Sequence, residues 1–366
     1  MLTLLYAFLV LFLKRGWHKI ALFTPSHKPA ITKVSVLIAA RNEADKIHLT
    51  IEDILAQNYP KHLFELIVVD DHSTDNTAHI IAQYATQGVK LIKLNESKAL
   101  NSYKKKAITE AIATAQGDVI VTTDADCRMQ PNWLITIINY YEQNGFKLIS
   151  SPVVYFEEKT RFEKLQTLEF LYLIGLGAAG IGNGMPSTCN GANLAYSKKV
   201  FFELGGFKGI DDVASGDDEL FLHKVAHAHP GSIGFCKLAE AIVYTHAKPN
   251  LAAFISQRKR WASKTVKYKD KKVLLLGLAI WLFNISLISN VCFGILYPPL
   301  WLLFAVQLMI KYTVEWLFLK PLTQFIQRRN LIYYLPLLTL AHIIYLVYIG
   351  VAGNWGKYNW KGRMVR

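Results

Sequence analysis

Short apolar runs alternate with segments of helical pattern from residue 34 to residue 126, and no other feature limits the fold as strongly. The runs at residues 66–69 and 119–121 are rich in β-branched residues and lack polar alternation, which is typical of strands covered on both faces. Strands separated by helices of this length indicate βαβ units. The sequence therefore predicts an α/β domain with a mostly parallel sheet, with strands at residues 34–40, 66–69, 91–94, 119–121, 148–154 and 241–244 and helices at residues 44–57, 75–87 and 107–115.

Carboxylates directly follow two of these runs. Asp70 and Asp71 end the second run, and Asp124 and Asp126 follow the fourth. Parallel sheets bind ligands at the carboxyl ends of their strands, so both pairs are expected at the rim of a nucleotide crevice. The one-residue spacing of Asp124 and Asp126 directs two hard oxygen ligands toward one divalent cation. Turn or helix N-cap residues are the alternative for either pair, but two pairs that each follow a buried strand favour a site.

Long apolar segments lie toward both ends of the chain. Hydrophobic residues make up 52% of the sequence, and three C-terminal segments have about the 20 residues that cross a bilayer. The first apolar stretch is followed by Lys14 and Arg15, whereas a cleaved signal peptide has its positive charges before the stretch. We expect a membrane anchor at residues 1–23, a transmembrane region at 273–352 with apolar segments 273–296, 300–319 and 331–351, and a basic tail at 353–366.

Basic residues cluster where the apolar segments meet the globular part. The net charge is +14, and Lys and Arg are dense between residues 258 and 272. Because such flanks favour the cytoplasmic side, the sequence predicts a cytoplasmic catalytic domain at residues 34–256 and an interfacial segment at 257–272, in a bacterial-type inner (plasma) membrane. Anionic lipid explains the charge, so no nucleic-acid partner is expected. The four cysteines are scattered without CxxC spacing, which argues against a disulfide framework or a zinc site.

Two polar clusters are further candidates for donor binding. Arg41, Asn42 and Glu43 follow the first strand and precede a helix, whose N-terminal amides favour a phosphate. Lys104 begins a run of three lysines that also suits phosphates. Helix capping by Asn42 and a solvated lysine face are the structural alternatives.

Two more clusters are candidates for the reactive step. Asp217 and Asp218 precede an apolar helix, and adjacent carboxylates raise one another's pKa toward the range of a general base. The segment QRKRW at residues 257–261 places an arginine beside a tryptophan near the membrane. A favourable helix N-terminus and interfacial anchoring are the respective alternatives.

Taken in order, these motifs resemble one known family. ARNEA, DDHSTDNT, DADC with PNWL, CNGANLAY, GGF, GDDEL and QRKRW together resemble the inverting family 2 glycosyltransferases with a GT-A fold, over residues 34–264. Membrane-bound members with a QxxRW box are the most similar, including ceramide-glucosyltransferase-like and polysaccharide-synthase-like enzymes. The tail motif WKGR at residues 360–363 is similar to that of lipid-modifying members.

The resemblance implies roles for particular residues. Asp124 and Asp126 would hold Mg²⁺ or Mn²⁺, with Asp126 in direct contact. Aligning Gly216 and Asp217 with the family's Glu-Asp pair makes Asp217 the general base, and Asp218 is the open alternative. The donor nucleotide would be bound by Ala40, Arg41, Asn42, Glu43, Asp71, Lys104 and Asp124. The diphosphate and the acceptor would meet Gln257, Arg260 and Trp261.

The implied function is transfer of a sugar from a nucleotide-diphosphate sugar, with a UDP-sugar favoured, to a membrane lipid acceptor. A processive polysaccharide synthase with the same catalytic site is the alternative, with a glycan as acceptor. A catalytically dead nucleotide-sugar-binding scaffold is disfavoured by the complete set of motifs. A Rossmann oxidoreductase is disfavoured because no GxGxxG follows the first strand.

The number of membrane crossings is left open by the sequence. Three full crossings in the C-terminal region would place the basic tail outside, against the positive-inside rule. Lys311 and Glu315 lie within the middle apolar segment, so this segment is the candidate for a re-entrant or interfacial one.

Overall fold

The structure, a computed structural model, describes residues 1–25, 29–95, 100, 102–264, 268, 271–353, 358–360 and 363–365. Its α-helices are α1 Leu2–Lys19, α2 Ile47–Leu55, α3 Thr77–Ala82, α4 Tyr103–Thr114, α5 Trp133–Asn144, α6 Arg161–Gly182, α7 Lys198–Glu203, α8 Glu219–Ala228, α9 Leu251–Ala262, α10 Lys271–Gly294, α11 Pro299–Phe325 and α12 Leu335–Ala352. Its strands are β1 Val34–Ala40, β2 Phe64–Asp70, β3 Val89–Lys93, β4 Val119–Asp124, β5 Arg128–Met129, β6 Leu148–Ser150, β7 Val153–Tyr155, β8 Leu194–Ser197, β9 Ile233–Phe235, β10 Val243–Thr245, β11 Tyr358–Trp360 and β12 Arg363–Val365.

The chain divides into two compact units, which are described separately. The sheet unit consists of Ile20–Phe156, Gly184–His246 and Asn359–Arg366. The helical unit consists of Met1–Lys19, Glu157–Asn183 and Ala247–Tyr358. The predicted domain ranges stay predictions, because this division follows compactness alone and assigns α6, inside the predicted catalytic range, to the helical unit.

The sheet unit is built on a seven-stranded sheet in the order β3-β2-β1-β4-β8-β6-β9. β1 pairs in parallel with β2 and β4, and β2 pairs in parallel with β3, whereas β8 runs antiparallel to both β4 and β6. The apolar residues of β1 and β4 are buried, apart from the half-buried Ala39, as expected for strands covered on both faces. The predicted α/β class with a mostly parallel sheet is confirmed.

Two of the predicted elements in the sheet unit are divided in the structure. The predicted strand at 148–154 is two strands, because the chain leaves the large sheet after β6 and enters a three-stranded sheet as β7, beside β10. The predicted helix at 75–87 ends at Ala82 and continues as a 3-10 turn. Gly88 then turns the chain into β3 with a φ of 87°, a left-handed conformation that glycine adopts without strain.

The helical unit contains α1, α6 and α9 to α12. α6 begins with a capping box between Thr160 and Glu163. The sequence prediction missed this helix because its second half is rich in glycine. These glycines allow close helix packing: a Cβ at Gly175 would lie 2.0 Å from Leu322, and one at Gly16 of α1 would lie 2.1 Å from the Ala179 carbonyl.

Four helical segments are long and apolar enough to cross a membrane, judged by length and composition within the described residues. They are Arg161–Gly182, Val273–Gly294, Pro299–Phe325 and Arg329–Ala352. The last three correspond to the three predicted apolar segments, and the first was not predicted. The predicted interfacial segment at 257–272 coincides in part with α9, while residues 265–267, 269 and 270 lie outside the described part of the chain.

Lys311 and Glu315 of α11 are buried inside the helical unit. The Lys311 ammonium lies 2.7 Å from Glu315, and the Glu315 carboxylate also accepts from Tyr6 of α1 at 2.6 Å and from Thr339 of α12 at 2.9 Å. The side chains of Lys311 and Glu315 are 0% and 3% exposed. Because the charges face neighbouring helices, they give no reason to regard α11 as re-entrant.

Candidate active site

The carboxyl edge of the large sheet brings the two predicted carboxylate pairs to one place. β1 lies between β2 and β4, with Ala40 opposite Asp70 and Ala39 opposite Asp124. With about 4.8 Å between adjacent strands, the ends of β2 and β4 lie about 10 Å apart. The strand order also changes direction here, where open α/β sheets form their ligand crevices.

The loop after β1 is bound to the loop after β2. The amide of Asn42 donates to Ser73 at 3.0 Å, and the amide of Ala44 donates to Asp75 at 3.1 Å. Asn42 accepts in return from the Thr74 amide at 2.8 Å. These amides are engaged within the protein, and α2 begins only at Ile47. The Glu43 amide is engaged as well, with Thr77 at 2.8 Å. The donor-binding role of Arg41, Asn42 and Glu43 stays a prediction.

Asp71 lies at this edge and is almost completely covered. Its amide donates to the Ala40 carbonyl at 2.8 Å, and its carboxylate accepts from Arg363 at 2.7 and 3.0 Å. The Nδ1 atom of His72 is 3.0 Å from the same carboxylate. Arg41 donates to the backbone carbonyls of Asp71 and His72 at 2.8 and 2.6 Å. The residue predicted to hold the nucleoside is 1% exposed in this arrangement.

Lys104 connects the second carboxylate pair with the third. Its ammonium lies 2.8 Å from Asp124 and 3.3 Å from Asp217. Burial lowers the pKa of Lys104, but these carboxylates outweigh burial and raise that pKa above its ordinary value. The side chain therefore carries a positive charge between two carboxylates at neutral pH.

Lys105 positions the loop that leads to Asp217. It is 1% exposed, and its ammonium donates to the carbonyls of Val213 at 2.6 Å and Ser215 at 2.8 Å. Burial lowers the pKa of Lys105 to about 8. The predicted lysine cluster therefore contains two different roles, because Lys104 faces carboxylates while Lys105 holds backbone.

Asp217 and Asp218 have different surroundings. Asp218 caps α8: its Oδ1 accepts from the Glu219 amide at 2.6 Å and its Oδ2 accepts from the Gly191 amide at 2.9 Å. Asp217 faces Lys104 instead, and its side chain is 16% exposed. The Thr122 hydroxyl donates to the Gly191 carbonyl at 2.8 Å, which fixes the position of this loop. Asp217 is thus the carboxylate of the pair that lies beside the charged cluster.

Asp126 lies just beyond β4 and is half-buried. The Asp124 carbonyl accepts from the Cys127 amide at 3.3 Å, which closes the turn that carries both carboxylates. The side chain of Asp124 is 41% exposed. Both oxygen donors of the D-x-D spacing are therefore at the sheet edge.

The QRKRW residues belong to α9 in the helical unit. Arg258 is the buried member: it pairs with Glu169, donates to Gln257 at 2.6 Å and stacks 4.2 Å from the Trp261 ring centroid. Arg260 is half-buried. The roles assigned to Gln257, Arg260 and Trp261 toward the diphosphate and the acceptor stay predictions.

Sequence reasoning missed two contacts of the site. Lys105 was one of three adjacent lysines, and nothing in that run distinguishes the buried member. Arg363 was noted only as part of a tail motif, although it pairs with Asp71 from 292 positions away. The tail motif was the available signal for Arg363. A contact between residues so far apart in the sequence cannot be inferred from a local pattern.

Comparison with known proteins identifies the chain. Residues 35–205 match the family described as Glycosyl transferase family 2, and they include Asp71, Lys104 and Asp124. Residues 35–205 are therefore a family 2 glycosyltransferase domain. The family and the enzyme class expected from the ordered motifs are confirmed.

Relatives of this glycosyltransferase differ in acceptor. A glucosyl-dolichyl phosphate glucuronosyltransferase of Haloferax volcanii is 26% identical over 58% of this chain and 66% of the relative. A beta-monoglucosyldiacylglycerol synthase of a Nostoc species is 31% identical over 30% and 24%. A poly-beta-1,6-N-acetyl-D-glucosamine synthase of Staphylococcus epidermidis is 24% identical over 53% and 46%. The matches thus span less than two thirds of the length of these relatives.

One solved structure shows the fold of this glycosyltransferase. The mannosyltransferase PcManGT of Pyrobaculum calidifontis, described in complex with GDP-Man and Mn²⁺, matches with a TM-score of 0.58 at 18% identity. The match covers 94% of this chain and 95% of the other. The predicted GT-A fold is confirmed.

Proposed function

We propose that this glycosyltransferase moves one sugar from a nucleotide-diphosphate sugar, a UDP-sugar, to a membrane lipid, with inversion at the anomeric carbon. The observation that carries the proposal is the Lys104 ammonium between Asp124 and Asp217, at 2.8 and 3.3 Å. This cation joins the carboxylate that ends β4 with a second carboxylate, that of Asp217. A positive charge for the leaving diphosphate, on Lys104, and a base for the acceptor hydroxyl, Asp217, would then be adjacent.

The donor would lie along the carboxyl edge of the sheet. Asp71 at the end of β2 would receive the base and ribose, and Asp124 at the end of β4 would receive the diphosphate. Ala40 and Arg41 lie at the end of the strand between them. The separation of about 10 Å between these strand ends suits the distance from a nucleoside to its diphosphate.

Asp124 and Asp126 suit Mg²⁺ or Mn²⁺. Among the residues that the structure describes, no three His, Cys, Asp or Glu side chains form a cluster for a metal. Two carboxylates nevertheless fit Mg²⁺, which takes one or two carboxylates and completes its shell with substrate phosphates and water. When bound, such a cation stabilises charge on the departing diphosphate as a Lewis acid.

The reactive step follows from charges of the chain itself. Asp217 would accept the proton of the attacking acceptor hydroxyl, because Asp218 already holds two backbone amides. Lys104 would place a permanent positive charge near the diphosphate as its bond to the anomeric carbon breaks. A single displacement of this kind inverts the anomeric centre.

A lipid acceptor is supported by the relatives named for dolichyl phosphate and for diacylglycerol. A processive polysaccharide synthase is the second candidate, supported by the relative named for poly-N-acetylglucosamine synthesis. Product size separates the two. Membranes that contain the protein, given labelled UDP-sugars, should form an organic-extractable product with one added sugar, whereas long polymer would contradict the lipid proposal.

We propose an inner-membrane protein with its sheet unit in the cytoplasm. α6 is not a crossing helix in this proposal, because the chain from Gly182 to Gly191, at most about 31 Å when extended, would have to recross the hydrocarbon without regular structure. The tail residue Arg363 bonds Asp71 within the sheet unit. An even number of crossings therefore separates α9 from β12.

Cysteine labelling tests this topology. With Cys189 and Cys292 replaced, Val365→Cys and Lys208→Cys should react with a membrane-impermeant maleimide from the same side of sealed vesicles. The expected reason is that the tail and the sheet unit share one side. Labelling from opposite sides would show an odd number of crossings and overturn the topology.

Asp126→Asn is expected to abolish most metal-dependent transfer, with kcat lowered at least about 100-fold, because one of two hard ligands is lost. Titration of Mg²⁺ and Mn²⁺ against transfer rate is the measurement. Asp53→Asn is the matched control, since Asp53 pairs with Arg128 at 2.6 Å outside the proposed donor set. Equal metal dependence in Asp126→Asn and the unaltered protein would contradict the role of Asp126.

A further inference from the structure

Arg363 covers Asp71 at the nucleoside end of the proposed donor site. Its Nη1 donates to both carboxylate oxygens of Asp71, at 2.7 and 3.0 Å. Its Nη2 lies 3.4 Å from the Asp71 carbonyl. Its guanidinium carbon is 3.7 Å from the centroid of the Tyr103 ring, which is a stacking distance. A flat, hydrogen-bond-donating group thus lies on an aromatic face beside a carboxylate.

These are the contacts that a nucleobase would use. A base is also flat, stacks on aromatic side chains, and donates N–H groups to a carboxylate. The Asp71 side chain is 2% exposed with Arg363 in place. A base therefore cannot reach Asp71 until the guanidinium has moved.

A second guanidinium, that of Arg41, also lies beside Asp71. Arg41 binds the carbonyls of Asp71 and His72, and burial together with the charge of Arg363 lowers the pKa of Arg41. The positive charges of Arg41 and Arg363 repel each other across Asp71. This repulsion makes the charged form of Arg41 less stable while Arg363 is present. Movement of Arg363 would relieve that repulsion.

We propose that Arg363 is a latch on the nucleoside pocket, bound to Asp71 and Tyr103 while the pocket is empty and displaced by the base of the incoming donor. This inference rests on the proposed function, since it takes Asp71 as the nucleoside residue. The tail strand β12 then competes with the donor. Molecules in which Arg363 is bound to Asp71 cannot bind nucleotide, so their fraction lowers the apparent affinity of the protein for nucleotide. Nucleotide binding releases the tail.

Binding of UDP and GDP to the purified full-length protein in detergent tests the latch. Arg363→Ala and Arg363→Met should both bind UDP about 10-fold more tightly than the unaltered protein, because the competing closed state is lost. Arg363→Lys should fall between, since it keeps the charge but loses the planar donor fork. Lys90→Ala is the control: it removes an equal charge from the sheet unit, where Lys90 pairs with Glu65 at 2.6 Å, and should leave UDP affinity unchanged.

Hydrogen exchange of residues 363–365 gives an independent readout. A displaced tail predicts faster amide exchange when UDP is added, whereas a tail that clamps the bound nucleotide predicts slower exchange. Weaker or unchanged UDP binding by Arg363→Ala, or slower exchange with UDP, would overturn the latch while leaving the donor site intact. Absence of UDP and GDP binding to the unaltered protein would instead overturn the proposed function, and the latch with it.

Discussion

Asp217→Asn should lower kcat for sugar transfer by about 10²–10⁴-fold, the usual contribution of a general base. The amide keeps the size of the side chain but cannot take a proton from the acceptor hydroxyl. The substitution also removes one of the two carboxylates beside Lys104. The KM for the donor is therefore expected to change, but by a smaller factor than kcat. Steady-state kinetics with the donor and acceptor varied separately would measure both effects.

Asp218→Asn is the matched control for this prediction. Asp218 accepts from two backbone amides, and asparagine retains one acceptor oxygen, so a loss of about 10-fold or less is expected from a weakened cap. The two variants have the same change in charge and nearly the same volume. A larger loss of kcat in Asp218→Asn than in Asp217→Asn would reverse the assignment and make Asp218 the base.

Lys311→Met should lower the free energy of unfolding of the helical unit by about 3–5 kcal/mol, because it leaves the Glu315 carboxylate buried without its cation. The ammonium is 0% exposed and 2.7 Å from that carboxylate. The hydroxyls of Tyr6 and Thr339 remain as donors, but they do not neutralise the charge. Thermal unfolding of the detergent-solubilised protein would measure the change.

The double variant Lys311→Met with Glu315→Leu separates charge from packing. Removing both charges together should recover most of the stability, since buried ion pairs are often replaceable by apolar residues of similar volume. Recovery is expected to be incomplete, because the Tyr6 and Thr339 hydroxyls lose the Glu315 carboxylate as an acceptor. If the double variant were as unstable as Lys311→Met, the uncompensated charge of Glu315 would not be the cause of the instability.

The alternation of strands and helices was predictable because burial on both faces leaves a local mark on the sequence. β1, β2 and β4, and the carboxylates at the ends of β2 and β4, follow from such runs. α6 was missed because its glycines are typical of a loop, whereas Gly175 packs closely against Leu322. The division of residues 148–154 between two sheets also has no local signal beyond Pro152.

The candidate site was predictable where the ligand-binding edge of a parallel sheet determines it. Asp71 and Asp124 were expected at one edge, and Lys104 is found between Asp124 and Asp217. The different surroundings of Asp217 and Asp218 depend on which one accepts from the Gly191 amide. That distinction depends on tertiary contacts that no spacing encodes.

A donor screen with the purified protein tests the central claim most directly. The unaltered protein, Mg²⁺ or Mn²⁺, a membrane lipid extract and a panel of labelled UDP- and GDP-sugars would be incubated, and the label in lipid would be followed. Lipid carrying a single sugar of inverted configuration from one UDP-sugar, lost in Asp217→Asn, is the predicted result. Transfer of equal rate in Asp217→Asn, or no transfer from any donor in the panel, would contradict the account.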